Sequence, residues 1–323
     1  MRAYWMNVGE TEAHVELRET PQPEPGPGQV LVRVHAAGLN RGEFIIGGLA
    51  KAGTAKPLGI EGAGEVVRNG SGATRFAAGD RVMGRFPGGM AEYVLSNEGD
   101  CMPVPAGLSW QEAGALPATY LVAHDMLVLQ GGLQAGGWLL VTGVSSGVGV
   151  ASLQIAKALG ARVIGTSGSQ AKLDKLQALG LDVGICTRGA DFAAQVRDAT
   201  GSAGVNLVVN NVGGSVFAEC VRCLAFEGRL ATVGYVDGVL NADIDLQALH
   251  ARRLVLFGVS QKMTSAAQKA EGTRRFAEDM LPLVTRGALR PLVDKVFPFD
   301  QMPAARAHME GNAHVGKIVI AMQ

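Results

Sequence analysis

The sequence has little of what several function classes require. It holds four cysteines, Cys101, Cys186, Cys220 and Cys223, and only the last two are close together, as a lone C-x-x-C in SVFAECVRCLAFEG. Structural zinc usually takes four Cys/His ligands, and no second pair lies nearby. The pair therefore reads as two helix residues facing the core, with a redox pair as the alternative. Its six histidines show no H-x-x-x-H spacing, which argues against a helical metal site. Neither charge sign is in excess, with Lys+Arg and Asp+Glu at 29 each. No basic block is present, so neither nucleic acid nor a membrane surface is an expected partner. No apolar run reaches the roughly 18 residues of a spanning helix. The start, MRAYWMNVGE, lacks the apolar stretch of a signal peptide, and a cytoplasmic protein is the expectation. Aromatic residues are few, at 5%.

Glycine, by contrast, is abundant at 45 residues, and hydrophobic residues make up 47% of the chain. Glycine-rich turns between aliphatic strands suit an α/β nucleotide binder. A length of 323 residues implies two domains. The first 105 or so residues read as strands, in RAYWMN, HVELRE, QVLVRVHAAG, GAGEVVRNG, DRVMGRF and AEYVLSN. PQPEPGPGQ, residues 21–29, must be a loop, because proline removes ladder donors and fixes φ. Ser109 reads as the N-cap of a helix interrupted near Pro117 and followed by a second. Strand and helix then alternate, from WLLVTG through RLVLFGVS. Six strands with intervening helices predict a doubly wound parallel sheet, and so an α/β fold. One long helix is predicted from about Ser260 through Thr285, and the remaining tail is predicted to pack on the N-terminal β domain.

Residues 142–149 read TGVSSGVG, between an apolar strand and an amphipathic helix predicted over residues 150–159. Gly147 and Gly149, flanking Val148, let the backbone approach a diphosphate and let the helix pack on the sheet. The helix N-terminus supplies free N–H groups, and Ser145 and Ser146 add hydroxyls. A tight turn with no ligand is the bland alternative. The next strand ends without the carboxylate that would bind the adenosine 2′-hydroxyl of NAD. Ser167, Ser169 and Lys172 follow instead, with Arg188 after the third strand. Hydroxyls and cations suit a 2′-phosphate, so NADPH is the expected cofactor. Lys172 as a solvated helix residue is the alternative.

The turn also fits T-G-x-x-x-G-x-G of short-chain dehydrogenases. Those enzymes carry it near the N-terminus and use Tyr-x-x-x-Lys. Here over 130 residues precede it, and none of Tyr4, Tyr93, Tyr120 and Tyr235 has a lysine four residues on. End to end the chain instead resembles the medium-chain dehydrogenase/reductase superfamily, in its quinone oxidoreductase (zeta-crystallin-like) branch. The resemblance rests on PGPGQVLVRVHAAGLN (residues 25–40), GIEGAGEVV (59–67), AAGDRV (77–82) and HVGKIVI (314–320). It implies a GroES-like β-rich catalytic domain, residues 1–121 and 260–323, around a Rossmann domain, residues 122–259. It also implies a cleft between them for the nicotinamide, and commonly a homodimer.

Zinc alcohol dehydrogenases share that superfamily. Their first ligand falls at Asn40 here, their second at Ile60, and their third within residues 115–122, which hold no Cys, His, Asp or Glu. Metal is therefore not expected. The zinc-free branch implies reduction of quinones, enones and enals, with hydride delivered by NADPH. By resemblance Asn40 lies beside the nicotinamide ribose, its amide donating to cofactor or substrate. Glu43, where the family has Asp, is an orienting group or a solvated loop residue. Glu61 is structural. Asn211, Gly234 and Tyr235 would edge the dinucleotide, Phe257, Gly258 and Val259 would approach the nicotinamide, and Asn312 would lie at the far end of the cleft. Phe257 as core and Gly234 as a turn are the plainer readings. Departures from the family pattern are Ile45, Ile46, Val122, Val259 and Thr187, and they predict a more apolar site that favours a lipophilic enone or enal. Two other functions remain: a non-catalytic NADPH-binding protein, and an enoyl reductase in a biosynthetic complex, less expected without a flanking carrier segment.

Overall fold

Period-two patterns build the first third of the chain as β1 (Arg2–Val8), β2 (Ala13–Glu19), β3 (Gln29–Leu39), β4 (Thr54–Pro57), β5 (Glu61–Asn69), β6 (Arg81–Arg85), β7 (Tyr93–Asn97) and β8 (Cys101–Pro103). Two short helices follow, α1 (Trp110–Ala115) and α2 (Pro117–His124), and a π-helical turn over Asp125–Leu129 continues the second. Strand and helix then alternate: β9 (Trp138–Thr142), α3 (Gly147–Ala158), β10 (Arg162–Ser167), α4 (Gln170–Gln177), β11 (Val183–Cys186), α5 (Ala193–Ala199), β12 (Val205–Asn210), α6 (Phe217–Cys223), β13 (Leu224–Thr232), α7 (Leu246–Ala251) and β14 (Val255–Gly258). The chain ends with α8 (Ala266–Thr285), β15 (Val293–Pro298), α9 (Met302–Glu310) and β16 (Lys317–Ala321). This computed structural model describes residues 1–9, 13–45 and 53–322, so Ile46 lies outside the described residues.

The chain divides into two compact units. One is Met1–Leu121 with Thr264–Gln323, and the other is Val122–Met263. The second unit is the expected doubly wound sheet. Its six strands are all parallel, in the order β11-β10-β9-β12-β13-β14. Strand order reverses beside β9, which makes the carboxyl ends of β9 and its neighbours the topological switch point. All five residues of β9 are buried, as a parallel strand covered on both faces requires. Cys220 and Cys223 lie in the core beneath this sheet. Burial pushes the Cys223 thiol up to about 12 and that of Cys220 well above its ordinary value, which suits packing rather than redox exchange.

The other unit holds a seven-stranded sheet, β15-β16-β3-β5-β6-β8 with β7 paired to β3, and a three-stranded sheet, β2-β1-β4. The C-terminal tail joins it as expected: β16 pairs antiparallel with β3, setting Ile318 opposite Leu39. Strand β3 pairs in turn with β5, setting Ala36 opposite Ala63. These two registers carry the N-terminal end of β16 and the start of β5 to the C-terminal end of β3. Helix α1 packs on β3 at Gly114, where a Cβ would stand 2.7 Å from the Ala36 carbonyl oxygen.

Caps set the helix starts, and they correct two expectations. Helix α8 begins at Ala266 rather than near Ser260, because Ser265 and Gln268 form a capping box there. Helix α3 begins at Gly147 rather than Val150, because Ser146 accepts a hydrogen bond from the Gly149 N–H. Ser109 caps α1 as expected, in a capping box with Glu112.

Candidate active site

The glycine turn leaves β9 at Thr142 and enters α3 at Gly147. Gly143 takes φ +62, a conformation that favours glycine. A Cβ at Gly149 would lie 2.5 Å from the Val144 carbonyl oxygen, so the turn closes onto the first turn of α3 only with glycine there. Gly165 on β10 lets the turn sit close, since its Cβ would fall 2.6 Å from the Val144 side chain. The Ser146 hydroxyl caps the helix at 3.1 Å from Gly149 N, and Ser145, Ser146, Gly147 and Val148 are all half-buried at the turn. The remaining N–H groups of the α3 N-terminus carry the positive potential of a helix start, which suits an anion.

Ser167 is the last residue of β10, and Ser169 precedes α4 without capping it. Thr187 N donates to Ser167 O at 2.9 Å and so aligns the following residue with the end of β10. Arg188 consequently lies over Gly168, its Nε 2.5 Å from where a Cβ would be. The cation expected from sequence stands beside the residues that follow β10, and Lys172 lies half-buried on α4. Hydroxyls, a guanidinium and an ammonium in this place fit a phosphate on an adenosine ribose.

Across the switch point, Asn211 uses its side chain internally. Its Nδ2 donates to Thr142 O at 2.9 Å, and its backbone N–H donates to the Thr142 hydroxyl at 3.0 Å. Asn210 Oδ1 accepts from Thr142 Oγ1, Val212 N and Gly213 N, each at 3.1 Å. Asp237 accepts from Ser215 N and Val239 N at 2.9 Å each, which ties the two loops together. Thr142, Asn210 and Asp237 shape this edge; Thr142 opens the glycine motif, and the motif did not point to the other two. Gly234 approaches Asn211 so closely that a Cβ would lie 2.8 Å from its carbonyl oxygen, and Tyr235 is exposed. Phe257, half-buried, and Gly258 end β14, and buried Val259 follows. All these residues lie at or just beyond the carboxyl ends of the parallel strands, where open α/β sheets bind ligands.

In the β-rich unit, four polar side chains converge. Lys317 Nζ donates to Glu61 Oε1 at 2.6 Å, Asn40 Oδ1 at 2.7 Å and Leu39 O at 3.1 Å. Glu61 Oε1 also accepts from Asn40 Nδ2 at 2.9 Å, and Glu61 Oε2 accepts from Ala118 N at the start of α2, at 2.7 Å. Glu61 is 0% exposed and Lys317 4%. Gly38 makes room, because a Cβ there would fall 2.4 Å from Glu61 Oε1. Glu43 ends a 3-10 turn, Arg41–Glu43, that turns its carboxyl inward to accept from Gly59 N at 2.8 Å. It is 2% exposed, so the solvated reading of Glu43 is corrected. Burial is the main cause that pushes its pKa up to about 7, with Glu61 adding to the rise and the Gly59 N–H, the Lys317 ammonium and Asn40 opposing it. The Asn40 amide, expected to donate to a ligand, instead donates to Glu61, to Gly38 O at 3.3 Å and to Glu43 at 3.5 Å. Asn312 stands apart on an exposed turn at φ +54, accepting from Arg41 at 2.8 Å. Lys317 was missed as a site residue. A lysine at the head of the apolar strand KIVIA was the available signal, but its partners were not.

Residues 26–106 match the alcohol dehydrogenase GroES-like domain family, and residues 147–279 match the zinc-binding dehydrogenase family. A putative alcohol dehydrogenase from Sinorhizobium meliloti 1021 is 32% identical, covers 99% of both chains and superposes with a TM-score of 0.84. The chain belongs to the medium-chain dehydrogenase/reductase superfamily. It is an oxidoreductase fold of that superfamily, with a GroES-like and a Rossmann part. A mycobacterial relative solved with NADPH is 26% identical over 99% of this chain and 100% of the other, with a TM-score of 0.89. The CurK enoyl reductase is 25% identical over 99% of both chains, with a TM-score of 0.84. Among curated relatives, the spectinabilin polyketide synthase system protein NorB of Streptomyces orinoci is 34% identical over 95% of this chain and 14% of its own length. The first curated relatives are long proteins, of which this chain spans between 8% and 14%.

The zinc-binding match makes zinc the metal to test against this member of the superfamily. A catalytic zinc takes three Cys, His, Asp or Glu ligands. At this corner Asn40 faces an ammonium, Ile60 is a hydrocarbon, and residues 115–122 contribute the Ala118 N–H. Of the two carboxyl groups nearby, Glu61 is already paired with Lys317 and Glu43 accepts from the Gly59 N–H. These residues do not fit zinc.

Proposed function

We propose that the chain is an NADPH-dependent, zinc-independent reductase of α,β-unsaturated carbonyl compounds or quinones. The observation that carries this reading is the Lys317–Glu61–Asn40 corner, where an ammonium, and not a set of metal ligands, faces Asn40. Without a Lewis acid to acidify a hydroxyl, alcohol oxidation is poorly supported. Reduction of an activated double bond needs a hydride, a proton and stabilisation of charge on a carbonyl oxygen. When bound, the dinucleotide supplies the hydride. The chain's own contribution is to seat the diphosphate at the α3 N-terminus, to hold a 2′-phosphate with Ser167, Ser169, Lys172 and Arg188, and to present the buried, apolar Val259 beyond the end of β14. The NADPH-bound mycobacterial relative supports the choice of cofactor.

A second reading is supported by the enoyl reductase and polyketide synthase relatives: the double bond belongs to an acyl thioester. Both readings use the same hydride chemistry and differ in the acyl carrier. We also propose a homodimer, formed along the outer edge of the parallel sheet at β14.

NADPH oxidation is to be followed with 9,10-phenanthrenequinone, a cyclic enone, an alkenal and crotonyl thioester, each with NADH and a chelator as controls. Turnover with at least one acceptor, unaffected by chelator, is expected. Turnover with none removes the reductase reading, and chelator-sensitive turnover removes its zinc-free part. Arg188→Ala is expected to weaken NADPH about tenfold, the loss of a charge-assisted hydrogen bond, and to leave NADH nearly unchanged.

A further inference from the structure

We propose that Lys317 is a positioning residue of this site: its buried ammonium is the fixed positive charge of the corner, and it sets the direction of the Asn40 amide. Three chain positions meet there, namely Asn40, Glu61 at the start of β5, and Ala118 within residues 115–122. In this chain all three close on one Lys–Glu pair: Lys317 Nζ contacts Asn40 and Glu61, and Glu61 reaches Ala118 N.

The electrostatics allow one orientation of Asn40. Its carbonyl oxygen lies 2.7 Å from the ammonium, and its amide nitrogen lies 2.9 Å from Glu61 Oε1 and 3.5 Å from Glu43 Oε1. A flipped amide would set NH2 against NH3+ and a carbonyl oxygen against two carboxyl groups. Amide orientation is ordinarily a matter of network choice, and a single buried ammonium decides it here. The ammonium has three acceptors, Leu39 O, Asn40 Oδ1 and Glu61 Oε1, and Lys317 acts through Asn40.

The fold delivers this lysine rigidly. The β16–β3 register, Ile318 opposite Leu39, places Lys317 beside Asn40. Gly316, at φ +84, turns the chain where a Cβ would lie 2.3 Å from the Leu292 carbonyl oxygen. Asp294 holds the preceding residue by accepting from Val315 N at 3.0 Å, and His308 Nε2 lies 2.9 Å from the same carboxylate.

The catalytic part of the inference rests on the reductase reading; the geometric part does not, and the test separates them. Lys317→Met leaves the Glu61 charge buried and unpaired, and it is expected to melt well below the parent chain. Lys317→Met/Glu61→Gln removes both charges, keeps an acceptor for Ala118 N, and is expected to recover most of that loss. The first readout is the Asn40 side-chain amide in 15N–1H spectra, assigned by its disappearance in Asn40→Asp. Its hydrogen exchange is expected to speed up about tenfold in the double variant, as the fixed orientation is lost. The second is the steady state with NADPH and whichever acceptor is turned over. There kcat is expected to fall about tenfold while KM for NADPH stays within about threefold. A double variant with parental amide exchange and parental kcat overturns the proposal and leaves Lys317 a purely structural pair. If the parent chain turns over no acceptor, the reductase reading falls, and amide exchange alone decides the role of Lys317.

Discussion

Glu43 shows how far a residue's surroundings can depart from its local sequence. LNRGEF reads as a polar loop, yet the 3-10 turn points this carboxyl into the protein, onto the Gly59 N–H. Its folded pKa of about 7 lies above the ordinary 4.5, so the folded chain holds an extra proton between those values. Stability therefore falls as pH rises from the lower value through the upper one, and levels off above it. Glu43→Gln cannot ionise and keeps an acceptor for Gly59. We expect it to exceed the parent chain in stability at about pH 8 and to match it near pH 5, by urea denaturation. An equal difference at both values would show that Glu43 does not carry the burial-raised pKa. Arg188 was legible as a cation following the third strand, because strand ends and charge are local features. Lys317 and Glu61 were not legible as partners. They stand 256 residues apart, and no local pattern links them.

At the level of elements, capping residues and glycines explain most of the differences from expectation. Apolar periodicity located α3 and α8 but misplaced their starts, because the cap hydroxyls of Ser146 and Ser265 decide where a helix begins. The π-helical turn after α2 had no signature, since hydrophobic period does not separate one hydrogen-bond spacing from the next in five residues. For the glycine turn, the decisive distance is from Gly149 to Val144. Gly149→Ala must push α3 away from the turn, at a cost of about 1–3 kcal/mol for an overpacked contact. A lowered melting temperature together with weaker NADPH binding, read by cofactor fluorescence, is expected. Unchanged values for both would mean that the turn has slack that the close contact does not imply.

For the whole molecule, β14 is an edge strand of the six-stranded sheet. Val255 on that strand is exposed, as are Val236, Val239, Leu240 (71%) and Leu246 in the segments before it. An open strand edge with exposed apolar neighbours is a template for pairing with a second copy. Light scattering on the parent chain is expected to give twice the chain mass. Leu240→Glu with Val255→Lys is expected to give the single mass with the melting of the monomer's own core intact. A parent chain that runs as a monomer would remove the homodimer proposal. No helix among the described residues is long and apolar enough to cross a membrane.

By itself the sequence determined the strand–helix alternation, the parallel sheet, the glycine turn and the basic group beyond β10. Each follows from periods and turn residues that act over a few positions. Only the tertiary structure decided what faces Asn40. Strand register brings Lys317 and Glu61 to it from distant parts of the chain, and burial then raises the pKa of Glu43 beside them. Both are properties of the packed sheet, where distance in sequence no longer measures distance in space.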